Sequence, residues 1–148
     1  MIDTALTVRL IRPEDALAVA ELIVQLGHNR AAEDVRTWID GLGARPGQAA
    51  FVAERNGEVV GWIEVSIEHR LQYESRGLIG GLVVRDGMRS LGIGRRLCEE
   101  AEDWTRWQGV KKMRVTSRIT REDAHRFYLR DGYLQTKISK FFEKPLEP

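Results

Sequence analysis

The sequence predicts one α/β domain in which helices cover a mixed β-sheet. Strand-like apolar runs and helically spaced apolar residues follow one another in the order β-α-α-β-β-β-α-β-α-β. The chain has 148 residues, of which 43% are hydrophobic and 30% charged, and these values suit a single core of ordinary size. No linker, repeat or low-complexity segment interrupts residues 1–148, so we expect one domain.

The first third of the chain contains a strand and two helices. An apolar, β-branched run over residues 6–11 predicts the strand, and Pro13 followed by two acids suits the first turn of a helix. Apolar residues continue at helical spacing to Gly27, which is a natural C-terminal stop. Asn29 is predicted to cap a second helix that ends before Gly43.

The middle of the chain is predicted to be a set of strands. Runs over residues 50–55 and 59–68 are separated by Asn56-Gly57, a dipeptide typical of a tight antiparallel hairpin. A third apolar run covers residues 78–84. Because side chains alternate along a strand, one face of the second run carries Trp62, Glu64, Ser66 and Glu68.

The last third alternates between helix and strand. A long helix is predicted over residues 92–107, a strand over 113–117 and a second helix over 122–130. An alternating apolar pattern over residues 134–142 predicts a final strand.

Composition excludes several classes of protein. No apolar run approaches the roughly 18 residues that a membrane span needs, and the N-terminus lacks the pattern of a secretory signal. A single cysteine, Cys98, excludes an intrachain disulfide framework. Three scattered histidines with one thiol argue against a metal site. We therefore expect a cytoplasmic protein without a membrane partner or a metal.

Charge is distributed unevenly along the chain. Residues 1–74 carry 7 arginines and 12 acids, whereas residues 75–148 carry 16 basic residues and 10 acids. Such a bipolar molecule could hold an anionic ligand on one half and attract a cationic ligand to the other.

The segment from Val83 to Arg96 is the one that most suggests chemistry. It combines a strand, a glycine-containing loop, four arginines and the start of a helix. Backbone N–H groups at a helix N-terminus point at an anion, and glycines let a phosphate approach the main chain. The segment therefore predicts a phosphate site.

Two common phosphate loops do not fit this segment. A Walker A loop needs a Lys and then a Ser or Thr after its last glycine, whereas Gly94 is followed by two arginines. A dinucleotide fingerprint needs a third glycine where this chain has Leu97, and an acid where it has Lys111 and Lys112. ATP at a Walker loop and a nicotinamide cofactor are therefore poor fits.

The motif Arg89-x-x-Gly92-x-Gly94 resembles the acyl-coenzyme A loop of the GNAT superfamily of N-acetyltransferases. That family motif reads Gln or Arg, two residues, Gly, one residue, Gly or Ala. Further segments similar to the family, in the family's order, are residues 12–15, 52–62, 81–84, 124–128 and 131–133. The resemblance implies a GNAT-like acyl-CoA N-acyltransferase fold, with acetyl-CoA as co-substrate and no metal.

The resemblance also implies which residues hold the co-substrate. The pantetheine arm would lie between two splayed strands and pair with backbone groups of Leu82, Val83 and Val84. The residues expected around the pyrophosphate are Arg89, Ser90, Leu91, Gly92, Ile93, Gly94 and Arg95. Arg121 stands where relatives often have an Asn that contacts the cofactor, Phe127 is also expected at the cofactor, and Arg118 or Arg121 would meet the adenosine phosphate.

The implied reaction is the direct attack of a neutral amine on the thioester. Tyr128 matches the family tyrosine that donates to the departing sulfur, because a phenol is protonated at neutral pH. A backbone N–H near Val83 would hold the oxyanion. Many relatives carry a glutamate where this chain has Gly80, so the candidate bases are Glu64 and Glu68 on the neighbouring strand.

The expected acceptor is the primary amine of a small molecule, and the acidic first half of the chain would suit a cationic one. Trp38 would form a wall of the acceptor pocket. An alternative function is a catalytically silent acyl-CoA binding or sensing module, which the missing glutamate at Gly80 motivates. A nucleic-acid binder that uses the basic second half is weakened by the acids among those charges. A homodimer would be one way to cover the apolar last strand.

Overall fold

The computed structural model describes residues 5–147, which fall into two compact units. The first extends to Thr116 and contains a five-stranded sheet with three α-helices, and the second begins at Ser117 and contains one α-helix. The predicted mixed α/β class is confirmed.

The sheet of the first unit follows the chain order. Its strands are β1 (Leu6–Leu10), β2 (Gln48–Arg55), β3 (Glu58–Arg70), β4 (Tyr73–Val84) and β5 (Met113–Val115). The first four strands pair antiparallel, and β5 pairs parallel to β4. The connection to a parallel neighbour requires a crossover, which is provided by the long helix between β4 and β5.

Three α-helices belong to this unit: α1 (Ala16–Ile23), α2 (Ala32–Asp40) and α3 (Ile93–Trp107). Side chains of α1 and α2 form a buried cluster with Trp62 of β3. On the other face of β3, a Cβ atom at Gly61 would lie 3.2 Å from the Leu97 side chain of α3. Leu97 is fully buried, which contributes about 1.5–3 kcal/mol to stability.

Two local predictions have different outcomes. Asn56 and Gly57 both have positive φ, 52° and 81°, as a tight hairpin turn requires, so that prediction is confirmed. The prediction that Asn29 caps the second helix is wrong, because the N-cap is Ala31 and its backbone is extended. Glu33 and Asp34 lie in the first turn, where the helix dipole favours acids.

An ion-pair network fixes the chain between β1 and α1. Arg9 donates to both carboxylate oxygens of Asp15, at 2.8 and 2.9 Å, and to Glu54 of β2 at 3.0 Å. Burial pushes the pKa of Asp15 upward, but hydrogen bonds from Arg9 and from the Arg12 backbone N–H outweigh it and hold that pKa below its ordinary value. This network anchors the turn that leads into α1.

The second unit contains α4 (Glu122–Arg130), as predicted. The predicted strand over residues 134–142 is wrong, because residues 133–147 form no regular secondary structure. Alternating apolar residues do not make a strand unless a neighbouring strand supplies hydrogen-bond partners. The apolar side chains of this segment are exposed, including Leu134, Ile138, Phe141, Phe142 and Leu146.

Candidate functional site

A β-bulge in β4 brings two glycines onto the same face of the sheet. Glu64 of β3 lies opposite Gly81, and the register then shifts so that Gly80 is an extra residue in β4. A Cβ atom at Gly80 would lie 2.8 Å from Glu64 Oε2, and one at Gly81 would lie 2.7 Å from the Trp62 ring. In a regular strand these neighbours would face opposite sides. The bulge therefore clears a slot that the side chains of Glu64 and Trp62 fill.

The slot holds the Glu64 carboxylate beside Gly80, the position at which many GNAT relatives carry a glutamate. The family resemblance implies a glutamate at Gly80, and the carboxylate of Glu64 lies within 2.8 Å of the position that a Cβ atom of that residue would take. An acid on the neighbouring strand thus occupies the space of the missing side chain.

Glu64 lines a mostly apolar cavity of about 200 Å³. The lining residues are Ile11, Val19, Ile23, Arg30, Val35, Trp38, Ala50, Trp62 and Glu64. Burial raises the pKa of the Glu64 carboxyl above its ordinary value, and the positive charge of Arg45 opposes this rise without cancelling it. A carboxylate with a raised pKa is a better proton acceptor than an exposed one.

The tryptophan wall of this cavity is held by an arginine. Trp38 lines the cavity, and the Arg45 guanidinium lies 5.1 Å from the centre of its ring. Arg45 also donates to the Trp38 carbonyl at 2.8 Å and to Gln48 at 2.7 Å. These contacts of Arg45 fix the position of Trp38 at the cavity.

Glu68, the second candidate base, has a different environment. Its carboxylate pairs with Arg70, Arg76 and Arg114 at 3.1, 2.9 and 3.1 Å. The hydrogen bond from Arg76 is the main cause of a pKa below the ordinary value. A carboxylate stabilised in its charged form is a weaker base than Glu64.

The end of β4 has an open backbone edge. β5 pairs with β4 only at Gly77–Ile79, so among the described strands residues 80–84 have no partner on that side. Leu82, Val83 and Val84, the predicted pantetheine-pairing residues, lie in this stretch. Pairing between β4 and β5 thus ends before the stretch in which the resemblance implies that the pantetheine arm lies.

Gln25, which the sequence did not single out, fixes the exit from β4. Its Nε2 donates to the Val84 carbonyl at 2.9 Å, and its Oε1 accepts from the Asp86 N–H at 3.0 Å. Gln25 therefore ties the segment after α1 to the start of the glycine loop. No local pattern reveals this, because the two segments are about sixty residues apart in the chain.

The glycine loop ends at the N-terminus of α3. Ser90 has φ +70° and Gly92 has φ +78°, and Gly92 is the N-cap of the helix. Arg96 N–H bonds the Gly92 carbonyl at 3.1 Å, so the amides of residues 93–95 precede the first intrahelical bond and point out of the helix end. Left-handed residues in such turns are typical of anion-binding concavities.

The four arginines of this segment divide into two pairs. Arg85 bonds the Val59 carbonyl and Arg96 bonds the Leu6 carbonyl, so both brace the sheet. Arg89 and Arg95 are exposed and pair with acids of their own surface, at 3.2 and 3.4 Å. Arg89 and Arg95 are thus the two arginines that can turn toward an anion, whereas Ile93 is buried and contributes its backbone.

The remaining predicted site residues lie in the second unit. Arg121 is the N-cap of α4, and Phe127 and Tyr128 lie in its last turns. The Tyr128 ring contacts those of Phe127 and Tyr133 edge to face, with centroids 5.3 and 5.8 Å apart. The Tyr133 N–H bonds the Tyr128 carbonyl at 2.9 Å, which closes the helix end around this tyrosine.

Two further observations concern the whole described chain. Within residues 5–147, no helix combines the length and apolar character that crossing a membrane requires. No group of three or more His, Cys, Asp or Glu side chains in the same residues could hold a metal ion.

Comparisons with known proteins agree with this geometry. An aminoalkylphosphonate N-acetyltransferase from Salmonella typhimurium is 39% identical over 127 residues, 83% of this chain and 81% of that protein. A type 1 aminoglycoside N(6')-acetyltransferase from Stenotrophomonas maltophilia is 29% identical over 100% of this chain and 99% of its own. The solved structure of AAC(6')-Iy in complex with the bisubstrate analog CoA-S-monomethyl-acetylneamine has a TM-score of 0.83 at 17% identity, covering 95% of this chain and 98% of that one.

The model of the Acetyltransferase (GNAT) family matches residues 17–133, which is most of the chain. The match includes the slot of β4, the glycine loop and α4. The chain therefore belongs to the GNAT family and is an N-acetyltransferase that uses acetyl-CoA.

Proposed function

We propose that this enzyme acetylates the primary amine of a small acceptor bound in the cavity beside Glu64. The observation that carries the proposal is the Glu64 carboxylate, which fills the slot at Gly80 and lines an apolar cavity. Glu64 is the general base, and Glu68 is not, because its three arginine partners stabilise its charged form.

The proton transfers follow from the acceptor's chemistry. An amine arrives as an ammonium ion and must lose a proton before its nitrogen can attack the acetyl carbonyl carbon. Glu64 accepts that proton, directly or through a water molecule. The carbon–sulfur bond then breaks, and the Tyr128 hydroxyl donates a proton to the departing thiolate. The nitrogen loses its second proton as the amide forms, and that proton restores the Tyr128 hydroxyl through solvent. A backbone N–H near Val83 stabilises the oxyanion.

The co-substrate lies along the end of β4 and the glycine loop in this proposal. The open edge at Leu82, Val83 and Val84 offers main-chain groups to the pantetheine arm. The pyrophosphate is held by the segment from Arg89 to Arg95, with the α3 N-terminus supplying N–H groups. Arg118 or Arg121 meets the adenosine phosphate, and Phe127 contacts the co-substrate. Residues 1–148 act as one domain.

Two acceptor classes come from the relatives. One relative acts on aminoalkylphosphonates and another on the 6' amine of aminoglycosides. Both are amines, so either class is compatible with Glu64 as the base. The charge difference between the two halves of the chain supports an acceptor with a cationic group.

We do not propose the alternative function of a catalytically silent acyl-CoA binding or sensing module. The alternative rested on the missing glutamate at Gly80, and Glu64 supplies a carboxylate at that place. We propose no nucleic-acid partner, because the acids Glu99, Glu100, Glu102 and Asp103 of α3 interrupt the basic half of the chain.

We also propose a homodimer in a cytoplasmic setting. The exposed apolar side chains of residues 134–142 alternate like those of a strand, and a second copy could supply the missing strand partner. Sedimentation of the full chain and of a chain ending at Tyr133 would test this, since the shorter chain should be monomeric. The single cysteine, Cys98, is a fully buried thiol, which supports a reducing compartment.

The proposed base is tested by the pH dependence of acetyl transfer. Free thiol released from acetyl-CoA reports the rate, and the buried Cys98 does not interfere. We expect kcat/KM to rise with pH through the raised pKa of Glu64, because the base must be unprotonated. Glu64→Gln should lower kcat/KM by about 10²–10⁴ and remove this rise.

Glu68→Gln is the matched comparison for this experiment. If it reproduces the loss and Glu64→Gln does not, the base has been assigned to the wrong strand position. Calorimetric titration of wild type and both variants with acetyl-CoA should give similar affinities, which separates a chemical defect from a binding defect.

A further inference from the structure

The cavity beside Glu64 carries a second charged group. Apart from Glu64, the only charged residue that lines it in the described chain is Arg30, which lies in the loop before α2. Arg30 is exposed and makes no hydrogen bond or ion pair with any residue in 5–147. Arg45, by contrast, donates hydrogen bonds to the Trp38 carbonyl and to the Gln48 side chain. Arg30 is thus the cation at this cavity that is available to a ligand.

The size of the cavity limits the ligand. Its volume of about 200 Å³ lies below the roughly 300–1,000 Å³ of sites for drug-sized molecules. A ligand with several cationic amines would also bring a second positive charge toward Arg30. The cavity therefore disfavours a large polycation on both size and charge.

We infer that the acceptor is a small zwitterion, a primary amine with an anionic oxygen-bearing group a few bonds away. The amine lies at Glu64, and Arg30 holds the anionic group. This inference rests on the proposed function and names the acceptor class for the same site. Arg30 is a specificity-determining residue that takes no part in the proton transfers.

The experiment compares acceptors that differ only in the second group. We would measure kcat/KM by thiol release with 2-aminoethylphosphonate, propylamine and 1,3-diaminopropane. Charge-assisted hydrogen bonds to Arg30 should favour the phosphonate over propylamine by about tenfold or more. Because Arg30 is exposed, added salt should reduce this ratio.

Variants assign the preference to Arg30. Arg30→Gln should bring the phosphonate-to-propylamine ratio toward one, and Arg30→Lys should restore part of it. Arg36→Gln makes the same charge change on the exposed side of α2, outside the cavity, and should keep the wild-type ratio.

Three outcomes would count against the inference in different ways. If propylamine or 1,3-diaminopropane gave the same kcat/KM as 2-aminoethylphosphonate, the inference would be overturned and the proposed function would stand. The same holds if Arg30→Gln lowered kcat/KM equally for all acceptors. Absence of transfer to every amine would overturn the proposed function and this inference with it.

Discussion

Replacing Gly80 with alanine should impair catalysis while leaving the fold intact. The new methyl group would lie 2.8 Å from Glu64 Oε2 and 3.2 Å from Cδ, whereas ordinary van der Waals contact begins near 3.4 Å. The carboxylate oxygen must therefore move by about 0.6 Å. It can do so because it is the end of a flexible side chain, with no backbone atom among the nearest contacts.

The size of the two effects follows from this displacement. Misplacing a reacting group by about 1 Å can cost about 10²-fold in rate, so a shift of this size should lower kcat/KM by about 10- to 100-fold. The free energy of unfolding should change by less than about 1 kcal/mol, because the methyl group displaces only a side-chain end and alanine lowers the entropy of the unfolded chain.

The assay pairs thiol-release kinetics with urea denaturation. Gly43→Ala is the matched control, because a Cβ atom there would meet nothing within 4 Å. Acetyl-CoA affinity, measured by calorimetry, should be similar in wild type and both variants. If Gly80→Ala kept full activity, the position of the Glu64 carboxylate would not matter and the proposed base would be wrong.

Two further predictions concern the proton donor and the β1–α1 junction. Tyr128→Phe should lower kcat while acetyl-CoA affinity is retained, and an unchanged kcat would remove Tyr128 from the reaction. Asp15→Asn should lower the free energy of unfolding by about 3 kcal/mol in urea at neutral pH, because it leaves Arg9 without its main partner. Because the pKa of Asp15 is lowered on folding, its stabilisation is present above the ordinary carboxyl value and is lost as pH falls below it. The difference between Asp15→Asn and wild type should therefore shrink in acid, and a constant difference would contradict this cause; Asp40→Asn, at an exposed position, is the control.

Most of the fold could be predicted from the sequence because its signals are local. The Asn56-Gly57 turn and the helical spacing that leads to α3 depend on neighbouring residues, and both are confirmed. The strand predicted over residues 134–142 failed for the opposite reason. Its apolar alternation is a local signal, but a strand also needs a partner, which the local signal does not specify.

The candidate site could likewise be predicted only in part from the sequence. The sequence by itself determined the family resemblance, the glycine loop before α3 and a missing glutamate at Gly80, because these depend on residue types at short spacings. Only the tertiary structure decided that Glu64 fills that place and that Arg30 lies at the same cavity. A β-bulge and the packing of α1 and α2 on the sheet bring these groups together, and both are contacts between residues far apart in the chain, which no short pattern can encode.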